Sequence, residues 1–263
     1  MPDHFLPVDA TGLRVLVTAG AAGIGRVIAR AFAARGARIA VCDVDDAALS
    51  VFSAEHPQAL VLRADVAEED EVATLFAAVR NRLGGLDVLV NNAGIAGPTA
   101  GIEQVTRAAL DRTLAVDVVG MFLCAAQATP LLRAAGGGCI VNLGSVASRL
   151  GFPLRTPYSA AKWGVVGFTQ SLAIELGPQN IRVNAILPGH VEGERFARVV
   201  RAKAEAAGTG ETEMRGAMLD AVAMKRTVAP EDIANMALFL ASPFGARVSG
   251  QALSVCGGVQ MMR

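Results

Sequence analysis

No excess of charge of either sign marks this chain: Lys+Arg and Asp+Glu stand at 24 each in 263 residues, so no global field favours nucleic acid or an anionic membrane. Cysteine is sparse. Cys42, Cys124, Cys139 and Cys256 are scattered, without metal-ligand spacing, and each lies in an apolar stretch. They read as small core thiols in a reducing cytoplasm, with no metal site. No apolar run reaches the ~20 residues that cross a bilayer. Met1–Leu13 holds Asp3, His4 and Asp9 and lacks the basic start and apolar middle of a signal peptide. Charged residues are only 18 %, against 52 % hydrophobic, which excludes whole-chain disorder and supplies a large core.

What is present alternates between strand and helix character. Strands are expected at Arg14–Thr18, Arg38–Asp43, Ala59–Ala64, Leu86–Asn91, Gly138–Leu143, Ile181–Leu187 and Ala252–Val255. Helices are expected at Gly25–Arg35, Ala47–Glu55, Glu69–Leu83, Thr106–Ala134 (one long or two joined), Pro157–Leu176, near Arg195–Ala207, Glu211–Val222 and Pro230–Leu240. The strands are continuous apolar runs such as VLV, the signature of parallel strands buried on both faces. The expected fold is therefore α/β: a single doubly wound parallel sheet with helices on both faces, spanning residues 1–263 as one domain. Residues 189–227, broken at Gly208–Gly210, read as a small helical substrate cap inserted in it.

The first strand runs into Thr18-Ala19-Gly20-Ala21-Ala22-Gly23-Ile24-Gly25. Glycines allow a tight turn and close backbone approach to a phosphate, and the helix that follows offers free N–H groups and its positive dipole end. A strand before and a helix after make this turn a dinucleotide fingerprint rather than a bare βα connection. Asp43 ends the second strand, 18 residues after Gly25. A carboxylate there accepts from ribose hydroxyls and repels a 2′-phosphate, which favours NAD over NADP. Asp65-Val66 and Asn91-Asn92-Ala93-Gly94 end the third and fourth strands and would line the same groove.

Tyr158 is the only tyrosine, and Lys162 follows at i+4, on the same helix face. A phenol titrates near ~10 and is a poor base at neutral pH. A neighbouring ammonium stabilises the phenolate, which could then exchange a proton with a carbonyl–alcohol oxygen. Ser145, after the fifth strand, could hold that same oxygen.

Together these elements resemble the short-chain dehydrogenase/reductase family, from Leu13 to Gly258. The matching residues are the Thr18–Gly25 turn, Asp65-Val66, Asn91–Gly94, Ser145, Tyr158-x-x-x-Lys162, Asn184 and Pro188-Gly189, with a 13-residue interval from Ser145 to Tyr158. The resemblance implies NAD-linked hydride transfer between an alcohol and a ketone. It implies Ser145, Tyr158, Lys162 and the residue at Asp117 in catalysis. The cofactor would lie on Gly20, Gly23, Ile24, Gly25, Asp43, Asp65, Val66, Asn92, Ala93, Gly94, Tyr158, Lys162, Pro188 and Val191. A homotetramer is also implied. The alternatives are an NADPH-dependent carbonyl or 3-oxoacyl reductase, or a nucleotide-sensing protein without turnover.

Four positions depart from the family pattern. Ala19 stands for the first glycine, and the shifted Gly20 is expected to carry the turn. Asp117 stands for the usual Asn and would favour the ammonium form of Lys162; its alternative role is helix packing. No Thr follows Pro188-Gly189, so backbone contact through Val191 is expected. Cys256 replaces a frequent Asp. Substrate, a small or mid-sized polar alcohol, is expected against Ser145, Ala147, Arg155, Tyr158 and His190, with Phe152, Leu154 and Arg195 nearby. Arg155 reads either as a surface charge or as a clamp for a substrate anion.

Overall fold

The computed structural model describes residues 5–259. The apolar runs form seven strands: β1 Arg14–Thr18, β2 Arg38–Asp43, β3 Leu60–Arg63, β4 Val88–Asn91, β5 Gly138–Leu143, β6 Ile181–Pro188 and β7 Ala252–Val255. They make one sheet in the order β3-β2-β1-β4-β5-β6-β7, every pair parallel. The helices are α1 Gly23–Ala34, α2 Asp46–Glu55, α3 Glu69–Leu83, α4 Arg107–Leu114, α5 Gly120–Ala134, α6 Thr156–Leu176, α7 Glu194–Ala207, α8 Glu211–Asp220 and α9 Pro230–Ala241. The doubly wound parallel architecture is as expected from the buried-strand pattern.

Because successive strand residues face opposite ways, the sheet feeds two cores. Val15, Val17, Ile39 and Val41 pack with Ile28 and Phe32 of α1 and Ile233 and Leu238 of α9. Leu16, Ala40, Leu89 and Ile140 pack with Val72 and Phe76 of α3, Cys124 and Leu132 of α5, and Leu176 of α6. All four cysteines are buried free thiols, and burial pushes Cys42 up to about 12.

The chain winds outward from β1 to β3, then returns to β4 on the other side of β1. That reversal opens a crevice at the carboxyl ends of β1 and β4, where ligands bind in such sheets.

Most boundaries fall within two residues of expectation, and three places have a physical reason to differ. β4 begins at Val88 because Asp87 turns aside to pair with Arg14 at 2.7 Å. The β3 run is shortened to four residues. Thr106–Ala134 is two joined helices, the second of the expected alternatives, and the joint between α4 and α5 is a π turn, Ala115–Val119. The resulting helical stretch Arg107–Ala134 is long and apolar enough to cross a membrane by length and composition, which corrects the expectation that no run is. Here Cys124, Ala125, Ala128 and Leu132 on its inner side lie in the core, beside β4 and β5.

Candidate active site

The crevice is fastened where β1 and β4 end. Thr18 Oγ1 accepts the Asn92 and Ala93 N–H groups, each at 3.0 Å. Asn92 Nδ2 donates to the Thr18 and Ala19 carbonyls at 2.9 and 3.0 Å. Ala19 itself takes the left-handed conformation, φ 47°, so the turn's strain sits on Ala19 and not, as expected, on Gly20. Gly20 is needed for a different reason: a Cβ there would lie 2.7 Å from the Val17 carbonyl oxygen. A Cβ at Gly25 would collide with the Ala19 carbonyl and meet Asn92 Nδ2 at 2.5 Å. Gly23, φ 53°, faces open space at the start of α1. That helix has no side-chain cap and no acid in its first turn, so its N–H groups are left for an anion. Ile24 packs half-buried on the core beneath them.

Asp43 reaches this turn from the end of β2, one carboxylate oxygen accepting Ala21 N–H at 3.3 Å and the other Val44 N–H at 2.8 Å. Asp65 is tied to Arg112 at 2.6 Å and to Ala67 N–H at 3.0 Å. Val66 is buried against Gly120, and Ala93 is also buried.

Ser145 follows β5, and Tyr158 and Lys162 rise from the first turns of α6. The Ser145 hydroxyl accepts Ala147 N–H at 3.2 Å and interacts with the Tyr158 phenol in the sense that favours its ionised form. Lys162 Nζ lies 5.6 Å from the Tyr158 ring centre and donates to the Leu143 carbonyl at 3.1 Å. Asp117 projects from the π turn into the same space, fully buried, with Oδ2 3.3 Å from Lys162 Nζ and Oδ1 accepting Ile95 N–H at 2.6 Å. A single π turn in an α-helix recurs at functional sites. Burial alone would raise the Tyr158 phenol. The charges of Arg195 and then Lys162, with the Ser145 hydrogen bond, outweigh burial and the opposing charge of Asp117, so Tyr158 titrates below its ordinary value.

Two arginines complete the cluster. Arg155 is not a surface charge: it is 3 % exposed, its Nε and Nη2 both donating to the Ala96 carbonyl, with Cζ 4.7 Å from the Tyr158 ring centre. Arg195, from α7, donates to the Gly94 carbonyl at 3.2 Å and sits 5.8 Å from that ring centre. Ala147 is fully buried under the Ser145 loop, so it shapes that loop and does not face an open cleft. The His190 ring stacks on Phe196 at 5.2 Å, and Val191 bridges to Val228. Pro188 pairs with Val255 at the end of β6. Asn184 is structural, donating to Val248 and accepting from Gln251. Ile95, Ala96 and Leu143 escaped sequence reading because they act through backbone groups, which residue identity does not reveal.

Residues 19–260 match a family model described as enoyl-(acyl carrier protein) reductase. A cis-4-hydroxycyclohexanecarboxylate dehydrogenase of Sinomonas cyclohexanicum is 38 % identical over 95 % of this chain and 98 % of its own length. The chain belongs to the short-chain dehydrogenase/reductase family. A galactitol 2-dehydrogenase of Agrobacterium fabrum is 36 % identical over 92 % of this chain and 95 % of its own. Among solved structures, an NAD+-bound xylitol dehydrogenase superposes with a TM-score of 0.90 at 28 % identity, covering 94 % of this chain and 99 % of that one. An NADPH-bound actinorhodin polyketide ketoreductase also reaches 0.90 at 34 % identity, covering 93 % and 96 %. The chain is thus an oxidoreductase of the alcohol/ketone type that works with a nicotinamide cofactor. The uncapped start of α1, the bare approach at Gly23 and the Asp43 carboxylate at the turn fit that cofactor's pyrophosphate and ribose.

Proposed function

We propose that the protein is an NAD-dependent dehydrogenase of small or mid-sized polar secondary alcohols, with Tyr158 as its general acid/base. The observation that carries this reading is the placement of the Tyr158 phenol, with Lys162 Nζ 5.6 Å and Arg195 Cζ 5.8 Å from its ring centre and Ser145 beside it, surroundings that favour the phenolate. Held at the glycine turn and Asp43, NAD would supply the hydride acceptor for the carbinol carbon, and NADH the hydride donor for the carbonyl carbon. Tyr158 takes the hydroxyl proton during oxidation and gives it back during reduction. Ser145 positions the oxygen. Lys162 keeps the phenolate low in energy, and Asp117 holds Lys162 in place. Residues 189–227 cap the cleft, with Lys203 of α7 5.1 Å from the Phe152 ring centre in the loop beneath.

NAD is preferred because Asp43 guards the ribose position, and Val44, Asp45 and Asp46 follow it without a base. The nearest cation, Arg63, faces Glu71 at 3.6 Å and Asp46 at 3.9 Å. The polyol dehydrogenases among the relatives support a polar alcohol. A second reading, NADPH-dependent reduction, is favoured by the NADPH-bound ketoreductase, and turnover with NAD+ against NADP+ separates the two. The test of the site is Tyr158→Phe. It should lower kcat by ~10²–10⁴-fold while NADH still binds; a variant with parental turnover would remove Tyr158 from the chemistry.

A further inference from the structure

We propose that the cleft beside Tyr158 is an anion site in which Arg155 and Arg195 together hold a carboxylate carried by the substrate. The proposal rests on the alcohol/ketone reading of this site and deepens it by substrate class.

The first ground is an unbalanced charge. Arg155 is 3 % exposed, yet neither it nor Arg195 forms an ion pair among the described residues. A buried charge without a partner is destabilising, so such a group persists where something supplies the countercharge. The carboxylate facing the cluster is Asp117, and it is already committed to Lys162 at 3.3 Å and to Ile95 N–H at 2.6 Å. Lys162 is thereby paired with Asp117, and Arg155 is left with the Tyr158 phenol beside it. Arg195, exposed on α7, brings a second unpaired cation to the edge of the same space.

The second ground is donor geometry. Arg155 spends Nε and Nη2 on a single carbonyl oxygen, which leaves Nη1 without a hydrogen bond among the described residues. Arg195 spends Nη1 on Gly94, which leaves Nε and Nη2. Planar guanidinium forks match carboxylates, and these two come from different elements, the loop before α6 and α7. Their guanidinium carbons lie 4.7 and 5.8 Å from the Tyr158 ring centre, so both border the space beside the phenol.

The third ground is rigidity. Leu154 is held at φ 62° immediately before Arg155, and its carbonyl accepts Ala100 N–H at 2.9 Å. A residue with a Cβ is strained in that conformation. Such strain is retained where the following side chain must be aimed.

The experiment is calorimetric titration of the NAD-loaded protein with cyclohexanecarboxylate and with cyclohexanecarboxamide. The parent should bind the acid at least ~10-fold tighter than the amide. Arg195→Gln and Arg155→Gln should each bring that ratio to within about threefold of one, and Tyr158→Phe should keep it. A parental ratio near one, or a ratio retained in both arginine variants, overturns the proposal. So does a preference that emerges only in Tyr158→Phe, which would make the phenolate the arginines' partner. If Arg155→Gln fails to fold, Arg195→Gln decides, because that residue is exposed. Acid preference in a protein that oxidises no alcohol would sink the dehydrogenase reading alone. NAD-linked turnover of neutral alcohols without acid preference would sink only the anion site.

Discussion

The Asp117 carboxylate lies 3.3 Å from the Lys162 ammonium, both groups withdrawn from solvent. The pair acts on Tyr158 in two opposed ways. Lys162 draws the phenol towards ionisation, and the charge of Asp117 pushes it back. Arg195, from α7, favours the phenolate as Lys162 does and offsets part of what the carboxylate takes away.

Replacing Asp117 by Asn removes the negative charge and keeps an acceptor for Ile95 N–H. Alcohol oxidation needs the phenolate, so its rate rises with pH through the Tyr158 pKa. Losing the opposing charge lowers that pKa, and the rising limb of kcat/KM should move to lower pH. Breaking a buried pair costs up to ~3–5 kcal/mol, so the melting temperature should also fall. A limb that stays put, or moves to higher pH, would contradict the electrostatic role given to Asp117.

The glycine turn makes a paired prediction. Ala19→Gly should leave the protein as stable or up to ~1 kcal/mol more stable, because φ 47° is easier for glycine than for alanine. Gly25→Ala should abolish NADH binding and lower the melting temperature, since its Cβ meets the Ala19 carbonyl and Asn92. Thermal unfolding with and without NADH reads both. Equal behaviour of the two variants would show that local backbone geometry does not govern this turn.

These outcomes mark what sequence could and could not reveal. Strands β1, β2, β5 and β7 were legible to the residue, because a strand buried on both faces is an unbroken apolar run between turn residues. The Ser145, Tyr158 and Lys162 constellation was legible from spacing along a strand end and one helix. The π turn was not, since Thr106–Ala134 is apolar on several faces and the register shift of one extra residue leaves no visible break in it. Arg155 read as a surface charge because a lone arginine in a Gly/Pro loop carries no sign of burial. Its contact with Ala96 joins residues 59 positions apart.

Asp43 supplies the cofactor test. Like charges ~5 Å apart at an effective dielectric near 20 repel by ~3 kcal/mol, about 10²-fold in binding. The parent should prefer NAD+ to NADP+ in kcat/KM by at least that order. Asp43→Ala should narrow the gap from both sides, losing the ribose contact and admitting the 2′-phosphate. A parent that uses NADP+ as well as NAD+ would refute the role assigned to Asp43.

The outer faces of α5 and α6 bear on assembly. Trp163 and Phe122 are each 52 % exposed, and Ile174 is 81 % exposed. Trp163 and Ile174 are 11 residues apart, three helical turns, so they share a face. Phe122 packs on Phe168 of α6 at 4.2 Å, on a side of that helix away from Trp163 and Ile174. Burying these exposed apolar side chains between copies is the simplest way to remove them from water. We expect a homotetramer in sedimentation velocity, well above the 27.1 kDa of one chain. Trp163→Glu should place a charge in that contact and shift the protein to smaller species. The chain has a single tryptophan, so its emission should also move to longer wavelength when the parent is diluted to dissociation. A parent that sediments as a monomer at micromolar concentration, or a Trp163→Glu variant of unchanged mass, would rule this surface out as the interface.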